Sequence, residues 1–195
     1  MSAIQSVCVY CGSSNNTKEI YRASAKELGT ILATNNIKLV YGGAKVGLMG
    51  ILAESALNNN GYVLGFMTEF LDEYEGANYN ITELHVVSTM HERKQKMFEN
   101  SDAFLILPGG FGTLDEVFEM LTWKQVGLHK KGIFFLNINN YWRPLFDNFV
   151  QHMIDNGFVR ESDKNLFHIV DDLSDLIPIM QSYPKHEDML VSKFS

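Results

Sequence analysis

Hydrophobic residues in this chain cluster in seven short runs, and segments of helical length lie between most of them. Runs that are apolar at almost every position are typical of strands buried on both faces, and their alternation with helices predicts a parallel sheet. We therefore expect an α/β fold with a doubly wound parallel sheet of about seven strands and helices on both faces. The predicted strands are Val7–Cys11, Lys38–Tyr41, Tyr62–Phe66, Leu84–Val87, Ala103–Leu107, Ile133–Leu136 and Phe167–Val170.

The length of 195 residues suits one domain, which we place at residues 1–182, followed by a tail at 183–195. No apolar run approaches the roughly 18 residues of a membrane span, and no basic segment precedes the first apolar stretch. We expect a cytoplasmic protein without membrane contact. A net charge of −7 argues against sequence-independent binding of nucleic acid, which requires clustered lysine and arginine.

Two cysteines, Cys8 and Cys11, form a C-x-x-C pattern that is also found in redox proteins. Redox pairs lie at the beginning of a helix, whereas these cysteines belong to a predicted strand. Residues three apart in a strand point to opposite faces, so we interpret both as structural.

Three glycine-bearing segments follow predicted strands: "CGSSNN", "YGGAKVGLMG" and "PGGFGTLDE". In open parallel sheets, ligands bind at the carboxyl ends of strands near the point where the strand order reverses, so these segments predict a nucleotide or phosphate site. None of them matches the dinucleotide fingerprint or the P-loop, which argues against NAD and ATP. "GGFGT" at the beginning of a helix can present backbone amides and the Thr113 hydroxyl to an anion.

Glu116 has two interpretations. It follows Thr113 by three residues, which is the spacing of a capping box, in which both side chains bind backbone amides at a helix start. Alternatively its carboxylate faces the crevice, where the positive end of the helix favours the ionised form and allows it to act as a base.

A helix predicted across "STMHERKQKMFEN" carries two cations on its apolar face. At about 100° per residue, one face contains Met90, Arg93, Lys94, Met97 and Phe98. Either the stems of Arg93 and Lys94 follow apolar surface to reach water, or the two cations enter the ligand crevice, where the planar guanidinium of Arg93 makes directional contacts.

We predict no metal site, because His91 has no ligand one helical turn away and no zinc motif is present. The other histidines are interpreted as ordinary surface or core residues: His85, His129, His152, His168 and His186. Met120 and Trp123 lie on the Glu116 side of their helix, where they either form an apolar wall for a base or pack in the core or between subunits.

The motifs "VCVYCGSS", "LVYGGAKVGLMG", "MHERK", "SDAFLILPGGFGTLDE" and "TWKQVGLHKKG" together resemble the LOG (lonely guy) family of cytokinin-activating enzymes, formerly labelled possible lysine decarboxylases. The resemblance extends from about Val7 to Val170, and its most specific part is M-H-x-R-K followed by P-G-G-x-G-T-x-x-E. It implies a Rossmann-like homodimer that needs no cofactor. The implied reaction is hydrolysis of the N-glycosidic bond of a cytokinin riboside 5'-monophosphate, and in many bacterial members of AMP, to free base and ribose 5-phosphate.

Residues that match the family motifs carry the implied roles. Arg93 and Glu116 form the catalytic pair. The residues implied to bind the nucleotide are Glu75, Lys94, Gly109, Gly110, Phe111, Gly112, Thr113, Leu114, Asp115 and Thr122. Asp115 stands where the family commonly has glutamate. A non-catalytic nucleotide-binding or carrier module that uses the same crevice is the alternative function.

Overall fold

The computed structural model describes residues 4–183. Its strands are β1 (Ser6–Tyr10), β2 (Lys38–Tyr41), β3 (Val63–Thr68), β4 (Glu83–Val87), β5 (Ala103–Ile106), β6 (Gly132–Leu136) and β7 (His168–Val170). Its α-helices are α1 (Glu19–Thr34), α2 (Gly47–Asn58), α3 (Glu69–Glu75), α4 (Met90–Glu99), α5 (Phe111–Gln125), α6 (Gln151–Asp155) and α7 (Leu176–Ser182), and a π-helical turn, Pro144–Val150, precedes α6. Apart from Tyr183, the predicted tail lies outside the described residues, as does His186.

All seven predicted strands are present, each within two residues of its predicted bounds. The sheet order is β4-β3-β2-β1-β5-β6-β7, and every neighbouring pair is parallel. The direction of the strand order reverses between β1 and β5. The predicted fold class is therefore confirmed, and the reversal marks the edge where such folds bind ligands.

The two faces of the sheet bury separate hydrophobic clusters, because successive residues of a strand point to opposite sides. Val7 and Val9 of β1 pack with α1, α2 and α7. Cys8 and Tyr10 pack with α4, α5 and the segment that contains Trp142 and Phe146. Helices therefore cover both faces, as predicted.

Cys8 and Cys11 are both buried and free, and they belong to the two different clusters. Burial is the largest influence on both thiols and raises the pKa of each well above its usual range, which suppresses the reactive thiolate. Their structural interpretation is confirmed. Among residues 4–183, no helix is long and apolar enough to cross a bilayer.

Candidate active site

The three glycine-bearing segments meet at the carboxyl edge of the sheet. The Gly12 amide donates to the Pro108 carbonyl at 3.1 Å, which joins the segments after β1 and β5. The Leu48 amide donates to the Gly12 carbonyl at 3.0 Å, and the Gly47 amide donates to Asn15 Oδ1 at 2.8 Å, which joins the segment after β2. The crevice inferred from the sequence is thus built from contacts among all three segments.

Helix α5 begins at Phe111, with Gly110 as its N-cap. Thr113 is therefore the third helical residue rather than the cap, and Glu116 lies in the second turn. The capping-box interpretation is wrong, because the N-cap is Gly110, three residues before the position that the Thr113 and Glu116 spacing requires. Glu116 is consequently free to bind a partner outside its own helix.

The beginning of α5 faces open space. The first intrahelical bond runs from the Leu114 amide to the Gly110 carbonyl at 3.0 Å, so the preceding amides have no acceptor within the helix. A Cβ added at Gly110 or Gly112 would meet no described atom within 4 Å, and Phe111 is 92% exposed. Several backbone donors and the positive end of the helix are thus accessible to an anion.

Gly109 fixes the turn that leads into α5. A Cβ at this position would overlap the buried Thr113 side chain and stand 3.0 Å from the Gly12 amide nitrogen. The Tyr141 hydroxyl donates to the Gly109 carbonyl at 2.7 Å. Leu114, also implied to bind nucleotide, is half-buried and packs against the cluster beneath α5.

Arg93 lies at the edge of the crevice and is only 5% exposed. Its Nε donates to the Phe66 carbonyl of β3 at 2.8 Å, and its Nη2 donates to the Gly42 carbonyl after β2 at 3.1 Å. Its Nη1 lies 3.2 Å from Glu116 Oε1. Three hydrogen bonds from three elements therefore fix the guanidinium, and the interpretation in which Arg93 reaches water is wrong.

Gly42 makes the position of Arg93 possible. A Cβ on Gly42 would overlap Nη2 and lie 3.2 Å from Cζ of Arg93. The second glycine segment thus supplies both a carbonyl acceptor and the space in which the guanidinium lies.

Glu116 is largely buried, with 13% of its side chain exposed. Burial is the largest influence on this carboxyl and raises its pKa above the usual range, whereas the charge and hydrogen bond of Arg93 act in the opposite direction. A carboxylate with a raised pKa next to a fixed guanidinium is suited to acid–base chemistry near neutral pH.

Lys94 points to α5 rather than to open solvent. Its ammonium lies 3.2 Å from Asp115 Oδ2 and 3.3 Å from Glu119 Oε1. Burial opposes the charged form, but the two carboxylates outweigh it, so the pKa of Lys94 is raised. Together with Arg93 and Glu116, these residues form a cluster of two cations and three carboxylates.

Two residues implied to bind nucleotide lie away from this cluster. Glu75 ends α3 next to the second glycine segment, since the following Gly76 carbonyl accepts from the Lys45 amide at 3.1 Å. Thr122 is exposed, and its hydroxyl donates to the Phe118 carbonyl of its own helix at 2.7 Å. Met120 is fully buried, and Trp123 packs edge-on against Phe98 at 5.2 Å between ring centroids, so both are packing residues.

The sequence reasoning missed Gly42, Glu119 and the hydroxyl of Tyr141. Glu119 carried a readable signal, because it lies four residues after Asp115 and therefore on the same side of a helix. The other two contacts join residues far apart in the chain. Among residues 4–183, no group of three or more histidine, cysteine or acidic side chains is placed to hold a metal ion.

Comparison with known proteins places this site in a family. A family model described as "Possible lysine decarboxylase" matches residues 49–180. A cytokinin riboside 5'-monophosphate phosphoribohydrolase of Rhodococcoides fascians is 42% identical over 91% of this chain and 90% of its own length. An enzyme of the same name from Arabidopsis thaliana is 36% identical over 98% of this chain and 90% of its own.

Solved structures share the fold at lower identity. The molybdenum cofactor carrier protein of Chlamydomonas reinhardtii has a TM-score of 0.69 at 20% identity and covers 90% of this chain and 95% of its own. The molybdenum cofactor binding protein of Rippkaea orientalis has a TM-score of 0.69 at 20% identity, with 93% and 98% covered. These similarities confirm the Rossmann-like fold alone. The sequence relatives confirm the resemblance read from the motifs: the chain belongs to the LOG family of phosphoribohydrolases, to which the possible lysine decarboxylase model refers.

Proposed function

We propose that the protein hydrolyses the N-glycosidic bond of adenine-type nucleoside 5'-monophosphates, namely cytokinin riboside 5'-monophosphate, AMP or both, to free base and ribose 5-phosphate. The observation that carries this proposal is the buried pair of Arg93 and Glu116 beside the open beginning of α5. The names of the sequence relatives support the same reaction.

The phosphate binds, in this proposal, at the amides of Gly110 to Thr113, where backbone donors and the helix dipole favour an anion. Glu116 follows Gly110 by six residues, which is about 9 Å along a helix at 1.5 Å per residue. The ribose spans this interval, so the phosphate anchors the glycosidic bond beside the carboxylate. Binding energy at the phosphate is thereby used for positioning.

The charge of the cluster suits the chemistry of C–N cleavage. As the bond to the base breaks, the ribose acquires oxocarbenium character, and fixed negative charge nearby stabilises it. Arg93 and Lys94 face three carboxylates, which leaves one net negative charge when all are ionised. The attacking water bonds to the ribose carbon and gives its proton to ionised Glu116, while the base leaves with the electron pair of the broken bond and takes up one proton to become the free base.

Lysine decarboxylation, suggested by the label of the family model, does not fit these residues. Amino-acid decarboxylation uses a cofactor as electron sink, commonly bound to a lysine as a Schiff base. Such a lysine requires a lowered pKa, whereas Lys94, the lysine that stands beside Arg93 and Glu116, has a raised pKa between two carboxylates.

Hydrolysis is tested by incubating the protein separately with isopentenyladenosine monophosphate and AMP and measuring released base and ribose 5-phosphate. We expect release from at least one substrate by the wild type and a loss of at least about 100-fold in Glu116→Gln with nucleotide binding retained. Nucleotide binding without release by the wild type would favour the carrier alternative. Comparison of the two rates identifies the preferred base.

The homodimer is also part of this proposal. Thr122 lies six residues after Glu116, about 9 Å farther along the helix and about 120° away around it, so the two side chains point in different directions. A second copy can place Thr122 in the site of its partner. Val126 and Leu128, 64% and 69% exposed at the end of α5, provide apolar surface for such a contact. Light scattering after size exclusion measures the molecular mass in solution and so tests the dimer.

The cytoplasmic location remains a prediction from the sequence.

A further inference from the structure

A second ionic bridge runs beside the pair of Arg93 and Glu116. Lys94 is the next residue of α4, and Asp115 is the preceding residue of α5, so their ion pair at 3.2 Å connects the same two helices. The Lys94 side chain is 13% exposed, whereas that of Asp115 is 61% exposed. The ion pair of Arg93 and Glu116 is therefore buried. The ion pair of Lys94 and Asp115 joins a largely buried ammonium to a carboxylate at the surface.

Glu119 holds Lys94 in this position. Its Oε1 lies 3.3 Å from the ammonium, and its Oε2 is buried without a hydrogen-bond partner among the described residues. Displacing Lys94 would leave a half-buried carboxylate without its cation, which is costly. The ammonium is thus fixed near Glu116 by a residue outside the catalytic pair.

The charges around Glu116 come from few elements. Helix α4 provides the cations Arg93 and Lys94, and α5 itself provides Asp115. The titratable groups that face Glu116 from β1 and from the residue after it are neutral at ordinary pH, because burial raises their pKa. These groups are Cys8, Tyr10 and Cys11. The two residues of the surface bridge therefore act on Glu116 with opposite sign, Lys94 favouring its charge and Asp115 opposing it.

We propose that Lys94 and Asp115 are a pair of positioning residues that set the charge state of Glu116. This inference rests on the proposed function, in which ionised Glu116 accepts a proton. The two charges act on Glu116 in opposite directions, beside the larger effects of burial and of the Arg93 charge. Removal of either charge alone shifts the protonation of Glu116, and the direction depends on which charge is lost.

The test compares pH profiles of kcat/KM for Asp115→Asn and Lys94→Met. We expect the acidic limb to move to lower pH in Asp115→Asn, because a repelling charge is lost. It moves to higher pH in Lys94→Met, because an attracting charge is lost, and Lys94→Arg restores the wild-type position. Lys96→Met is the matched control: Lys96 is paired at 3.5 Å with Glu99 on the exposed side of α4, so its loss leaves the limb unmoved.

If the bridge were merely structural, kcat would fall in both variants while their acidic limbs stayed in place, or the acidic limbs of the two variants would move in the same direction. Either result overturns the proposal. Lys94→Met/Glu119→Gln is measured beside Lys94→Met, because it removes the carboxylate that the single substitution leaves unpaired. Carbon-13 NMR titration of the Glu116 carboxyl, assigned with Glu116→Gln, gives a readout without turnover. Failure of hydrolysis in the wild type refutes the proposed function, whereas unshifted titrations refute this inference.

Discussion

Gly42→Ala tests whether the space beside Gly42 is what holds Arg93 against Glu116. The added Cβ would overlap Nη2 and lie 3.2 Å from both Cζ of Arg93 and Sδ of Met49. Because the guanidinium is enclosed, it cannot withdraw without losing its bonds to the Gly42 carbonyl and to Glu116, at 3.1 and 3.2 Å. The bond from Nε to the Phe66 carbonyl lies nearer the Arg93 backbone, away from the added Cβ, and can persist.

The magnitude follows from those two bonds. A hydrogen bond to a charged group contributes about 1.5–3 kcal/mol, so their loss lowers the free energy of unfolding by about 3–6 kcal/mol. Stiffening of the unfolded chain by alanine offsets about 0.4–1 kcal/mol of this. Since a small displacement of a catalytic group can reduce activity about 100-fold, we expect a loss of that order in kcat/KM.

Urea unfolding followed by circular dichroism measures the stability, and release of ribose 5-phosphate measures kcat/KM. Gly12→Ala is the matched control for stability, because its Cβ would stand at an ordinary 3.5 Å from Gly109 Cα and the Pro108 carbonyl, with an expected change within about 0.5 kcal/mol. In an Arg93→Met background, Gly42→Ala should cost little further stability. Wild-type stability and activity in Gly42→Ala would refute the reasoning.

Three further changes have defined outcomes. Gly112→Ala should stabilise the first turn of α5 by up to about 1 kcal/mol in urea unfolding but raise KM, because its Cβ enters the open space assigned to the phosphate; an unchanged KM would contradict that assignment. For the wild type, kcat/KM should fall on acidification through the raised pKa of Glu116, so its acidic limb should lie above the pH of an ordinary glutamate, and a limb at the ordinary position would count against Glu116 as the base. Burial lowers the pKa of Lys124 to about 8, so its charge destabilises the folded state below that pH and not above the pKa of a free lysine. Lys124→Met should therefore change the free energy of unfolding more favourably at pH 7 than at pH 10. Equal changes at the two pH values would exclude a buried charge at this position.

The sequence predicted the strands well because a parallel sheet covered on both faces leaves almost every strand position apolar. Seven runs such as Ala103–Leu107 were therefore visible without knowledge of their neighbours. Strand β4 also shows the limit of this signal: it lies at the sheet edge, contains Glu83 and His85, and is largely exposed.

The local rules failed where a long-range contact decides the conformation. Thr113 and Glu116 have the spacing of a capping box, yet the packing of Gly109 against Gly12 and Thr113 turns the chain into α5 earlier. The pattern of α4 likewise left Arg93 between water and the crevice. Its position depends on the Gly42 carbonyl after β2 and the Phe66 carbonyl of β3, and no spacing within α4 reveals that these carbonyls lie nearby.

The fixation of Arg93 also limits what it can offer a ligand. A guanidinium has five N–H donors, and three of them are committed to Phe66, Gly42 and Glu116 among the described residues. The remaining two belong to Nη1 and Nη2, so a ligand receives at most two hydrogen bonds from this side chain. If Arg93 contacts the nucleotide in the proposed reaction, the direction from which the nucleotide approaches decides whether it can accept these two hydrogen bonds.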